Sequence, residues 1–119
     1  MITKGQFEAQ LSEAIIKFEK EYMGRGPDEA KAYIIDDLVL VRLNRVLTPA
    51  EKQLVKTENA KGRSLVKEVR VALLERARPF LNEIVFDITG RKVKSLHSDI
   101  STVTGEGIIV FTLDKSLTG

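Results

Sequence analysis

The sequence contains no cysteine and a single histidine, His97, among its 119 residues. Disulfides, thiolate zinc sites, thiol nucleophiles and multi-histidine metal cages are therefore excluded. Aromatic side chains are scarce too, with five Phe and two Tyr. Most fall on apolar stripes, which leaves no stacking platform for single-stranded nucleic acid. Charge of one sign is lacking: 19 Lys and Arg stand against 17 Asp and Glu, a formal net charge of +2. That balance does not fit a dedicated nucleic-acid binder. Long hydrophobic runs are missing as well. Leu38 to Val41 and Ile108 to Phe111 are far shorter than the roughly 20 residues of a membrane helix. The acidic N-terminal stretch, with Glu8, Glu13, Glu19 and Glu21, fits neither a signal nor a transit peptide. Met1 is followed by Ile2 where myristoylation needs glycine. The expected location is cytoplasmic, at most peripheral to the inner face of a membrane and without insertion into it.

What is present reads as a single domain over residues 1–119, 43% hydrophobic and 30% charged. Phe7, Leu11, Ala14, Ile15, Phe18 and Tyr22 recur at steps of three and four, predicting a helix from about Thr3 to Met23. Thr3 and Gln6 have the spacing of a capping box, and Gly24-Arg25-Gly26-Pro27 ends the helix. Ala30 to Ile35 and Leu38 to Leu43 read as the strands of a hairpin around Asp36-Asp37.

Thr48-Pro49-Ala50-Glu51 opens the next helix, with Thr as cap, Pro at the first helical position and Glu closing the box. Continued to Ile88, that helix would be about 60 Å long at 1.5 Å per residue. A compact chain of this size spans only about 35 Å, so a break is expected near Asn59 to Gly62. The second piece, Ser64 to Ile88, carries Val66, Val69, Leu73, Ala77, Phe80, Ile84 and Ile88 as its apolar stripe and bends at Pro79. Lys92 to Ser101 and Gly107 to Leu113 are the last two strands.

Helix, glycine stop, strand, turn and strand thus occur twice. Tyr22-Met23-Gly24-Arg25 echoes Ile88-Thr89-Gly90-Arg91, and the run from Leu38 echoes the run from Ile108. The expected fold class is α+β: two layers, a four-stranded, mostly antiparallel sheet with helices on one face, in the order α-β-β-α-α-β-β. The second and fourth strands are apolar on both alternating sets, which predicts a homodimer through the free sheet face or its edge.

Two groups of residues are candidates for contact chemistry. Ser95, His97 and Asp99 alternate along the third strand and share one side of the sheet, a small polar site in which His97 could titrate near neutral pH. The same pattern also suits an ordinary wet surface. Arg63, Lys67 and Arg70, flanked by Lys56 and Arg78, fall on one side of the long helical stretch. They form a basic stripe for an anionic partner, or a solvated face balanced by Glu68 and Glu75. No nucleophile elbow, phosphate loop or metal shell is legible, so neither catalysis, a cofactor nor a metal is expected.

Taken together, Glu13 to Tyr22 followed by Gly24-Arg25-Gly26-Pro27, then Leu47 to Leu54, Ser95 to Ser101 and Val110 to Leu113 resemble the MpsC-like bacterial family. That family was formerly a domain of unknown function. The resemblance runs from about Lys4 to Asp114. It implies an accessory protein of a sodium-translocating, membrane-potential-generating system connected with inorganic-carbon uptake, whose spanning work belongs to integral-membrane transport subunits. It implies no catalytic residue. A small-molecule or ion sensor around His97 and Asp99 is the alternative, and an enzyme using His97 as general base is the remotest reading.

Overall fold

The computed structural model describes residues 2–56 and 60–117. The chain runs α1 (Lys4–Tyr22), β1 (Glu29–Ile35), β2 (Leu38–Asn44), α2 (Pro49–Lys56), α3 (Ala60–Arg76), α4 (Arg78–Thr89), β3 (Val93–Ile100) and β4 (Gly107–Leu113). The expected α+β class is the one observed, and so is the element order, with the last expected helix divided into α3 and α4. The four strands form one antiparallel sheet in the order β1-β2-β4-β3.

Local chemistry sets most of the element ends. Thr3 Oγ1 accepts from the Gln6 amide at 3.2 Å while Gln6 Oε1 accepts from the Thr3 amide at 2.8 Å, a closed capping box on α1. Thr48 and Glu51 close the same box on α2, at 3.2 and 2.8 Å. Thr48→Ala is expected to cost about 1 kcal/mol, read as a lower urea midpoint at unchanged slope. Gly24 and Gly90, at φ 88° and 71°, supply the left-handed turn after α1 and α4. The β1–β2 turn is the two-residue Asp36-Asp37, since Ile35 pairs directly with Leu38. Asp36 takes the left-handed region (φ 61°), and its carbonyl and carboxylate accept from Leu117 N and Ser116 Oγ, tying the C-terminal segment to the hairpin.

Two helical expectations need correction. Ala60, Lys61 and Gly62 lie inside α3, so any break is earlier; its Asn59 portion falls outside the described residues. The stretch after Ser64 is also not one bent helix. Pro79 has no N–H for Glu75, and the helix divides at Ala77 into α3 and α4. The phase of the apolar stripe differs as well. Val66, Leu74, Ala77, Leu81 and Val85 are buried, whereas Val69 and Phe80 are 44% and 53% exposed. A charged side chain, Arg70, occupies the core position that the periodicity assigned to Val69.

The core lies between the helices and one sheet face, where Ile34, Val39, Val41, Leu43, Leu96, Ile109, Phe111 and Leu113 meet Leu11, Ile15, Phe18, Leu81 and Val85. The alternate residues Tyr33, Ile35, Leu38, Leu40, Ile108, Val110 and Thr112 form the outer face, which no described element of the chain covers. At the β1 edge, α1 supplies acceptors: Ser12 Oγ takes the Ala32 amide and Glu8 Oε2 takes the Ile34 amide, both at 2.9 Å. At the β3 edge the Ile100 amide is taken by Asp99 Oδ1 at 2.8 Å.

The internal echo has a geometric counterpart. The β2 and β4 runs echo at a spacing of 70 residues, and Leu40 pairs directly with Val110, which is that spacing. A local twofold axis through this pair exchanges β2 with β4 and β1 with β3. In the sequence echo, Leu11, Ile15 and Glu19 of α1 stand where Ala77, the cap of α4, and Leu81 and Val85 within it stand in the second half, all buried.

Candidate functional site

The pleat of β3 places Ser95, His97 and Asp99 on the outer face, opposite Thr112, Val110 and Ile108 of β4. Leu96, Ser98 and Ile100 point to the helical layer. His97 and Asp99 are exposed. Asp99 Oδ1 accepts from Lys67 Nζ of α3 at 3.2 Å as well as from the Ile100 amide. These two donors, the amide first, hold its carboxyl below the usual carboxylate range. Asp99 is thus bonded to the Lys67 amine and to the next amide of its own strand. Among the described residues, no three His, Asp or Glu side chains converge as a metal shell.

The basic stripe is not a continuous surface. Lys67 is exposed and paired with Asp99, and Arg78 lies 3.8 Å from Glu75. Arg63 is half-buried and has its own partner. Arg70 departs from the expectation altogether, because it is 5% exposed and points into the protein. A buried guanidinium is tolerated only where acceptors and counter-charge surround it, and here Nε and Nη2 find acceptors. Nε and Nη2 donate to the two oxygens of Glu51 at 3.0 and 2.9 Å, and Nη2 also donates to the Val46 carbonyl at 2.7 Å.

Arg70 brings together two carboxylates that the periodicity did not group. Glu51 caps α2 and clamps Arg70 with the same carboxylate. Burial alone would raise its affinity for protons, but Arg70 and the Thr48 amide outweigh that, and its carboxyl sits below the ordinary value. Glu19 of α1 is 1% exposed, with Oε1 at 3.8 Å from Arg70 Nη1 and Oε2 without a hydrogen-bond partner. Burial pushes its carboxyl up to about 7, Arg70 opposing and Glu51 adding to the rise.

Glu19 and Arg70 line a cleft between α3 and the sheet, with a free volume of about 20 Å³. Leu43, Val46, Leu74 and Ile109 supply apolar walls, Ser98 lies on the sheet side, and Asp99 lines the cleft while bonded to Lys67 across its rim. The sequence carried one faint signal of this cluster. Glu19 and Arg70 each sit four residues beyond a core position, Ile15 and Val66, on an otherwise apolar row.

A sequence model of the family described as Na+-translocating membrane potential-generating system (MpsC) matches residues 3–115. Two proteins of Bacillus subtilis (strain 168) are similar to the chain. The uncharacterized protein YbcI is 40% identical over 115 residues, covering 97% of this chain and 91% of its own length. The uncharacterized protein YrhF is 24% identical over 112 residues, covering 91% and 88%. No solved structure matches.

Proposed function

This chain belongs to the MpsC family, and from that premise we propose that it is a non-enzymatic accessory module of a membrane-associated, cation-translocating system linked to inorganic-carbon uptake, acting as a homodimer. No described helix is long and apolar enough to cross a membrane, so the translocating work falls to integral subunits that this chain contacts. The observation that carries the reading is the outer sheet face. Tyr33, Leu38, Leu40, Ile108 and Val110 form one contiguous apolar surface with Ile35, which is 58% exposed. Apolar strand surfaces of this kind are normally covered.

On the β1 edge the Ala32 and Ile34 amides are taken by Ser12 and Glu8, and on β3 the Ile100 amide is taken by Asp99, so strand addition at β1 is disfavoured and the apolar face is the proposed place of pairing. The second copy is the proposed cover, its sheet packed on this one at the roughly 10 Å spacing of stacked sheets. The polar strand of Ser95, His97 and Asp99 borders that face, with Lys67 bonded to Asp99, and this strand with the basic residues Lys67 and Arg63 of α3 is the proposed contact for the transport subunits. A sensor site at His97 and Asp99 is the weaker reading, because the Asp99 carboxylate is already paired with Lys67.

Tagged protein used to capture partners from detergent-solubilised membranes is expected to recover integral transport subunits. Recovery of the bait alone would overturn the accessory role. Sedimentation equilibrium is expected to give a dimer for the native chain and a folded monomer for Leu40→Lys. A native chain that stays monomeric at high concentration would remove the dimer.

A further inference from the structure

The buried cluster has a charge deficit. Glu19 and Glu51 contribute two carboxylates, and Arg70 contributes one guanidinium. Glu51 takes two of its donors and the Val46 carbonyl shares one of them. Glu19 is left 3.8 Å from the cation, with Oε2 unpartnered and a water-sized cleft alongside. An unneutralised carboxylate in such surroundings is costly, so the cluster is one positive charge short.

We propose that the Glu19–Arg70–Glu51 cluster is a site for one exchangeable positive charge, held as a proton on Glu19 or as a bare monovalent cation in the adjoining cleft, and that its occupancy sets how firmly α1 is held to α3. The charged groups acting on Glu19 are Arg70 from α3 and Glu51 from α2; Asp99 of β3 also borders the cleft, its carboxylate paired with Lys67. β2 and β4 contribute no titratable side chain to the cleft, only Leu43, Gly107, Ile108 and Ile109. The cleft exceeds the ~10–15 Å³ needed for one water-sized body. A dehydrated sodium or ammonium ion meets that limit and tetramethylammonium does not.

The direction of the linkage follows from burial. Glu19 binds its proton more tightly folded than unfolded, with about 7 against an ordinary 4.5. Its contribution to stability is therefore complete below about 4.5 and lost as pH rises through 7. Glu51, shifted the other way, acts only at lower pH.

The test is urea unfolding of the full chain from pH 5 to 9 in tetramethylammonium, sodium or potassium chloride at equal ionic strength, for native protein and Glu19→Gln. In tetramethylammonium the native unfolding constant should rise on the order of a hundredfold across this range, and that of Glu19→Gln should stay nearly level. Sodium or potassium that reduces the native rise, without effect on Glu19→Gln, identifies a metal cation as the charge. Identical curves in all three salts identify the proton. A carbon-13 titration of the native glutamate carboxyls, independent of any variant, should show one group titrating near neutrality in tetramethylammonium. Equal pH slopes for the two proteins, or no glutamate titrating above pH 6, would overturn the proposal.

Discussion

Arg70→Met should lower the stability of the fold by about 3–5 kcal/mol at neutral pH, the range for removing one partner of a buried ion pair. The guanidinium is the hub of three elements: it meets Glu51 of α2 on two oxygens, the Val46 carbonyl before α2, and Glu19 of α1. Its loss leaves two carboxylates and a carbonyl facing an apolar cleft. Arg70→Lys keeps the charge without the planar fork that matches Glu51, and should recover only part of the loss. The triple variant Arg70→Met, Glu19→Gln, Glu51→Gln removes the uncompensated charges and should regain stability over Arg70→Met alone. Urea unfolding of the three proteins checks the series. An Arg70→Met protein within about 1 kcal/mol of the native chain would show that the cluster is not a structural hub.

The second large effect lies in the sheet. Phe111 is fully buried on the central strand β4, between Val39 of β2 and Leu96 of β3. Phe111→Ala should cost about 3–5 kcal/mol, the transfer of the ring plus the cavity it leaves. Phe86 is chemically the same residue but is 47% exposed on α4, and Phe86→Ala should cost less than about 1 kcal/mol. The contrast, read from urea midpoints, tests which layer of the protein is interior. A reversal would put the core on the wrong side of the helices.

How far the sequence reaches is clearest at these sites. Both capping boxes were legible because every participant lies within four residues: Thr3 with Gln6, and Thr48 with Glu51. The hairpins were legible because alternation and turn chemistry are equally local, and the outward direction of Ser95, His97 and Asp99 follows from the pleat alone. The phase of α3 was not legible. Counting apolar residues puts Val69 in the core, whereas Arg70 occupies that position because Glu51 accepts from its guanidinium and Glu19 lies near its charge. Those partners lie 19 and 51 residues away in the chain. No local pattern marks such an arginine, and helical periodicity alone sets it beside Arg63 and Lys67 in the basic stripe. Glu19 is hidden for the same reason, as one acid among Glu8, Glu13 and Glu21 on an amphipathic helix. The Lys67–Asp99 pair likewise joins two candidates that the sequence kept apart, the stripe and the strand.

The dyad through Leu40 and Val110 makes the β2–β4 contact the kind that two independent α-β-β chains would form on meeting. With α2 and α3 as tether, the halves find each other at an effective concentration of order millimolar, and assembly of the sheet no longer depends on protein abundance. The axis also pierces the outer face. At its centre Leu38 and Leu40 are repeated after half a turn by Ile108 and Val110, whereas the flanks differ, Tyr33 and Ile35 on one side against His97 and Asp99 on the other, so a guest seated there has an apolar middle and two unlike ends.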